Sequence, residues 1–186
     1  MKSIALIVIG LLLASCSNDK IEYEKVILHY NNGNLFCSGN HKVINSNNKL
    51  RSGNWKFYYP SGKIEQDVEY NEDGEIISQK KYSENGKIVE YYIIQDKTEL
   101  TITYHQNGNI KEEIKKEKYS ENKGDDESET SESIVKEFYD SGVLKEQTNY
   151  KDDNLNGEKK IWDSTGVLLI IVNYADGIII RKDLNN

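Results

Sequence analysis

The chain of 186 residues has two cysteines, Cys16 and Cys37, too few for a disulfide framework to hold a small fold together. It has no excess of cations. Lysine and arginine number 24 against 31 acidic residues, for a net charge of −7, which argues against nucleic-acid or anionic-lipid binding, both of which need a basic face. Long apolar runs are missing too: Ile4–Ala14 is eleven residues, and at about 1.5 Å per residue it cannot cross a hydrocarbon layer about 30 Å thick. No nucleophile elbow, phosphate loop or metal-binding His/Glu helix motif is present, and His29, His41 and His105 stand at no metal-ligand spacing. Cys37 lies near His29 and His41 only in sequence, and a lone cysteine among strand residues reads as a small buried hydrophobe. The expectation is a protein that is not an enzyme and uses no cofactor and no metal.

What is present begins at the N-terminus. Met1 and Lys2 form a short basic start before the apolar run, the pattern of a signal peptide. The run ends in Leu13-Ala14-Ser15-Cys16, which resembles the lipobox of bacterial lipoproteins, whose cysteine is diacylated and becomes the first residue after cleavage. The resemblance implies a helical signal peptide over 1–15, lipidation at Cys16, and a mature chain of 23 basic and 31 acidic residues with net charge −8. Residues 16–25 then form a polar tether, and two or more acyl chains hold the protein on the cell membrane or outer membrane, facing the periplasm or exterior.

The body of the chain is repetitive. An aromatic residue, three polar turn-formers and a glycine recur at Tyr58–Gly62, Tyr70–Gly74, Tyr82–Gly86, Tyr104–Gly108, Phe138–Gly142 and Trp162–Gly166. His29–Gly33 is a weaker copy, Tyr174–Gly177 a shortened one, and Tyr150–Asn154 carries asparagine at the glycine position. Glycine occupies positive φ freely and asparagine at modest cost, so each motif predicts a type I turn closed by a left-handed residue, a common hairpin connection. The expected corner residues are Gly62, Gly74, Gly86, Gly108, Gly142, Asn154 and Gly166. Corners at 62, 74 and 86, and again at 142, 154 and 166, keep a twelve-residue step.

After each glycine the side chains alternate. Ile64, Gln66, Val68 and Tyr70 share one face, as do Leu168, Ile170, Val172 and Tyr174, while Glu65, Asp67 and Glu69 take the other. The fold class is all-β, an extended antiparallel meander of repeated β-hairpins. One copy is spoiled: "KYSENG" at 81–86 recurs as "KYSENKG" at 118–124, with Lys123 at the corner. The acid-rich stretch that follows has almost no apolar surface to offset the cost of ordering it, so an acidic disordered loop is expected over 123–133. It separates a first repeat block, 26–122, from a second, 134–186.

The stretches at 52–64 (SGNWKFYYPSGKI) and 150–168 (YKDDNLNGEKKIWDSTGVL) resemble bacterial MORN-variant repeats, with Gly53, Trp55, Tyr58, Tyr59, Gly62 and Ile64 on the pattern. Gly157, Trp162, Gly166 and Leu168 follow it more loosely. Proteins of this kind are often labelled YwqK-like antitoxins of toxin–antitoxin systems, and many are lipoproteins. The resemblance thus implies a protein-interaction module at the cell envelope or, alternatively, an antitoxin or immunity protein, with a toxin or an envelope protein as partner. An exported chain could not neutralise a toxin that stays in the cytoplasm.

Two patterns remain. Asp152 to Asp163 has the spacing of a calcium loop, but Lys159 and Lys160 stand among its ligand positions and no helical pattern flanks it, which argues against calcium. The thirteen tyrosines include the pairs Tyr58-Tyr59 and Tyr91-Tyr92, whose members face opposite sides of a strand. Trp55, Tyr59 and Tyr91 are therefore candidate interface anchors, or else aromatics filling a thin sheet.

Overall fold

The structure, a computed structural model, describes residues 21–123 and 126–184. The signal helix, Cys16 and most of the tether lie outside the described residues. The rest is all β, and its strand order follows the chain from first to last. Chain contacts divide it into two compact units, the first ending at Ile88 and the second starting at Val89.

The N-terminal unit contains β1 (Glu22–His29), β2 (Leu35–Asn45), β3 (Asn48–Tyr58), β4 (Ile64–Tyr70) and β5 (Ile76–Tyr82). Because β1 starts at Glu22, strand replaces the expected tether over 22–25. One face carries the core. Val26 pairs with Gly39, Cys37 with Phe57, and Trp55 with Val68, so alternation puts Val26, Cys37, Trp55, Val68 and Tyr70 together as a buried cluster.

The C-terminal unit continues with β6 (Ile88–Gln95), β7 (Thr98–Tyr104), β8 (Ile110–Lys123), β9 (Asp126–Phe138), β10 (Leu144–Lys151), β11 (Asn154–Trp162), β12 (Leu168–Ala175) and β13 (Ile178–Leu184). Its buried row is thinner and more polar: Val135, Thr148, Lys159 and Val172 pair in register from β9 to β12. Thr148 and Val172 are buried, and Lys159 answers the half-buried Glu146 with an ion pair of 2.5 Å.

The glycine turns form as their sequence requires. Tyr59 N–H donates to the Lys63 carbonyl and Gly62 N–H to the Tyr59 carbonyl, both at 2.8 Å, which closes a type I turn with Gly62 at φ 85°. The same two bonds recur in the turns entered at Tyr30, Asn71, Ser83, His105, Tyr139 and Asp163, and the corners Gly74, Gly86, Gly108, Gly142 and Gly166 all have positive φ. Asn154 does not belong to this set. Asp152 and Asp153 take the left-handed conformation, at φ 49° and 62°, and form a two-residue turn, while Asn154 opens β11 opposite Lys151. Aspartate tolerates that region almost as well as asparagine, so the corner moves two residues upstream.

The expected acidic loop over 123–133 is also corrected at 123 and over 126–133, while 124 and 125 lie outside the described residues. Strands β8 and β9 pair residue for residue from Glu112↔Glu137 to Lys123↔Asp126, so a long hairpin crosses the point where a break between blocks was expected. Composition counts apolar surface, whereas this ribbon is held by its backbone ladder and by Asp152. The Asp152 carboxylate accepts from the Thr130 hydroxyl at 2.8 and 2.9 Å and from Ser131 N–H at 2.8 Å, and Asp152 N–H returns a bond to the Ser131 carbonyl.

Candidate interaction surface

The three aromatic candidates prove to have different roles. Trp55 is 2 % exposed and belongs to the core. Its indole lies over Gly39, whose position would put any Cβ inside the ring, and Nε1–H donates to the Asn40 carbonyl at 3.0 Å. A glycine in mid-strand marks such a close approach, so Gly39 was the available clue. Phe57 stacks on Trp55 with centroids 6.0 Å apart, and the Arg51 guanidinium sits 4.9 Å above the indole while donating to Tyr70 Oη at 2.9 Å. Arg51, which no repeated motif marks, caps this aromatic cluster from the solvent side and adds roughly 0.5–1 kcal/mol per exposed cation–π contact.

Tyr59 is a stitch between turns. Its hydroxyl donates to the Tyr82 carbonyl at 2.7 Å, just as Tyr30 reaches the Tyr58 carbonyl at 2.6 Å. In the C-terminal unit Tyr139 repeats the move on the Trp162 carbonyl at 3.0 Å. His105 holds the equivalent place, with Nε2 2.9 Å from the Phe138 carbonyl and Nδ1 2.7 Å from the Asp140 carboxylate. Asparagines complete the pattern: Asn32 and Asn34 both donate to the Pro60 carbonyl, and Asn107 and Asn109 both to that of Asp140. The aromatic that opens a turn therefore joins one hairpin to the next. Tyr59→Phe and Tyr139→Phe should each lower stability by about 1 kcal/mol, read from the urea midpoint, without changing the strand signal. Tyr91 is half-buried in β6 opposite Ile102, and of the three candidates it alone remains on a strand face away from the core and the turns.

At the other end of the N-terminal strands Glu72 gathers β1, β2 and β3. It accepts from Tyr23 Oη at 3.0 Å and pairs with Lys42 Nζ at 3.0 Å, with Ser52 Oγ at 3.4 Å. The Lys42 and then the Tyr23 hydrogen bonds hold its carboxyl below the usual carboxylate range. Asp152 plays the matching part in the C-terminal unit, where its carboxylate accepts hydrogen bonds from β9.

Cys37 is 2 % exposed, and burial pushes its thiol above the ordinary value, the reverse of what a nucleophile needs. His41 packs its ring on Trp55 with centroids 5.1 Å apart. Burial first, then the Arg51 charge, lower its pKa from 6.5. A lowered imidazole means the unfolded chain binds the proton more readily, so stability is full above pH 6.5 and falls as the pH drops through the folded value. Melting temperature should therefore decline as the pH drops below 6.5, and His41→Phe should flatten that decline.

Three segments match the model of the MORN repeat variant: residues 51–72, 132–152 and 155–176. They coincide with β3–β4, the end of β9 with β10, and β11–β12. These three segments are MORN-variant repeats. The matched segments contain Trp55, Val68 and Tyr70 of the buried cluster and the Asp152 anchor, so the repeat is a hairpin whose ends are joined to its neighbours. No curated protein matches the chain. The third matched segment sets Lys159 where the first has Trp55, paired with Val172 as Trp55 is with Val68, and this substitution explains the more polar interior of the C-terminal unit.

Proposed function

We propose that this protein is a membrane-tethered interaction module that binds a protein partner through the open faces of its sheet. One observation carries the proposal. The units are built from paired strands whose side chains are mostly half-exposed on both faces, so the surface area goes to presentation rather than to a closed interior. MORN repeats generally serve as protein and membrane interaction modules, which supports the proposal. The signal-like N-terminus and Cys16 supply the tether, and the net negative charge favours a partner other than nucleic acid.

The tether and the partner are tested separately. Full-length protein should remain with the membrane fraction through an alkaline carbonate wash, and Cys16→Ser should move to the soluble fraction; retention of the variant overturns the anchor. A photo-crosslinking residue at Tyr91 should give one discrete adduct in cells producing the anchored protein, and an absence of adducts there and elsewhere on the strand faces overturns the module. Antitoxin function is the narrower form of the same proposal, and it requires that the captured partner be toxic when produced alone.

A further inference from the structure

Among the described residues, strand β13 stands last in the strand order and pairs with β12 alone. An edge strand presents a row of unpaired backbone donors and acceptors, and natural edges are normally kept short, bulged or charged. This one is greasy at its start. Ile178, Ile179 and Ile180 are 70 %, 56 % and 66 % exposed, and Leu184 at its end is 64 % exposed. Between them lies Arg181-Lys182-Asp183, and the Arg181 guanidinium already pairs with the Asp183 carboxylate two residues on, at 2.8 Å. Ile180 is the bulged residue, with its neighbours Ile179 and Arg181 opposite Tyr174 and Asn173, so the regular ladder runs from Arg181 to Leu184.

The charge order in this ladder is self-complementary. When two identical strands pair antiparallel, a two-fold axis relates them, and each residue faces its reflection through the axis. With the axis at Lys182, Arg181 of one copy faces Asp183 of the other on both sides, and Ile180 faces Leu184 on both sides. Sliding the axis to Ile180 sets Ile179 against Arg181 and Ile178 against Lys182, and leaves Asp183 without a cation. Opposed unlike charges contribute about 0.2–1 kcal/mol per cross-strand pair and opposed like charges cost a similar amount, so the first register is preferred. The Lys182 pair on the axis is the single like-charged contact. Both side chains are exposed and long enough to carry their ammonium groups apart into water.

We propose that β13 is a dimerisation edge, through which two copies pair antiparallel about an axis at Lys182, with Arg181 of each facing Asp183 of the other. The contact extends the backbone ladder from one copy into the next and covers apolar side chains on both. It is closed by its symmetry, so it yields dimers rather than fibres.

Sedimentation velocity of the full-length protein in detergent micelles tests this. The wild-type chain should sediment as a dimer at concentrations where Arg181→Asp and Asp183→Arg are each monomeric, a weakening of roughly tenfold or more. An equimolar mixture of the two variants should recover the dimer, because the introduced carboxylate of one then faces the introduced guanidinium of the other, while the native Asp183 and Arg181 still face each other across the axis. Both substitutions lie at solvent-accessible edge positions, and unchanged circular dichroism shows that they fold. As an independent measurement, Lys182→Cys should form a disulfide-linked dimer under mild oxidation, while the wild-type chain with its buried Cys37 forms none. Monomeric wild-type protein, variants that dimerise singly, a mixture that stays monomeric or an open-ended series of sizes each overturns the proposal.

Discussion

Gly39→Ala should destabilise the N-terminal unit by about 2–3 kcal/mol in the wild-type background and by almost nothing when Trp55 is already alanine. The cause is steric. The indole of Trp55 occupies the space a Cβ on Gly39 needs, and it cannot tilt away freely, because Nε1–H is fixed to the Asn40 carbonyl while Phe57 and Arg51 bracket the ring. Trp55→Ala by itself should cost about 4 kcal/mol, through lost burial and the cavity left among Val26, Cys37 and Val68. In that cavity the alanine methyl at position 39 has room. The four proteins of the cycle should therefore show a coupling energy close to the whole cost of the single Gly39→Ala change. Urea unfolding followed by circular dichroism supplies the measurement, since the tryptophan probe is itself removed. Additive effects would mean that the tryptophan does not depend on this glycine.

The parts legible in the sequence and the parts that were not differ in the range of the interaction behind them. The hairpin corners are local: a glycine at positive φ four residues after an aromatic is required by one turn geometry, so Gly62, Gly74, Gly86, Gly108, Gly142 and Gly166 could be named from spacing alone. Asn154 failed because two aspartates just upstream can also adopt that conformation, and the choice between them depends on the register with β11. Trp55 pointed toward an interface because nothing local shows that Gly39, sixteen residues earlier, makes room for it. The bond made by Tyr59 was hidden in the same way, since its acceptor is the carbonyl at Tyr82, one hairpin further on. A turn carries its own needs in its motif, whereas what a neighbouring turn supplies is written elsewhere in the chain.

Asp152→Ala should lower stability by about 2 kcal/mol and release the far half of the β8–β9 hairpin before the rest of the unit unfolds. Two effects add. Alanine accommodates φ 49° poorly, at a cost of about 1 kcal/mol, and the buried Thr130 hydroxyl and the Ser131 N–H lose their shared acceptor. Asp152 itself is exposed, so its charge contributes less than the number of its hydrogen bonds suggests. Asp152→Asn separates these effects, since asparagine keeps the left-handed conformation and one carbonyl acceptor, and it should lose less than half as much. Hydrogen exchange is the decisive readout. Amides from Lys118 to Lys123 and from Asp126 to Ser131 should exchange faster in the alanine variant, while those of β10 to β12 keep their protection. Uniform loss of protection across the unit would instead make this ribbon part of one cooperative sheet, held by its ladder without help from Asp152. Selective loss would identify the acidic ribbon as a strand extension that one carboxylate keeps folded, which neither its composition nor its spoiled turn motif reveals.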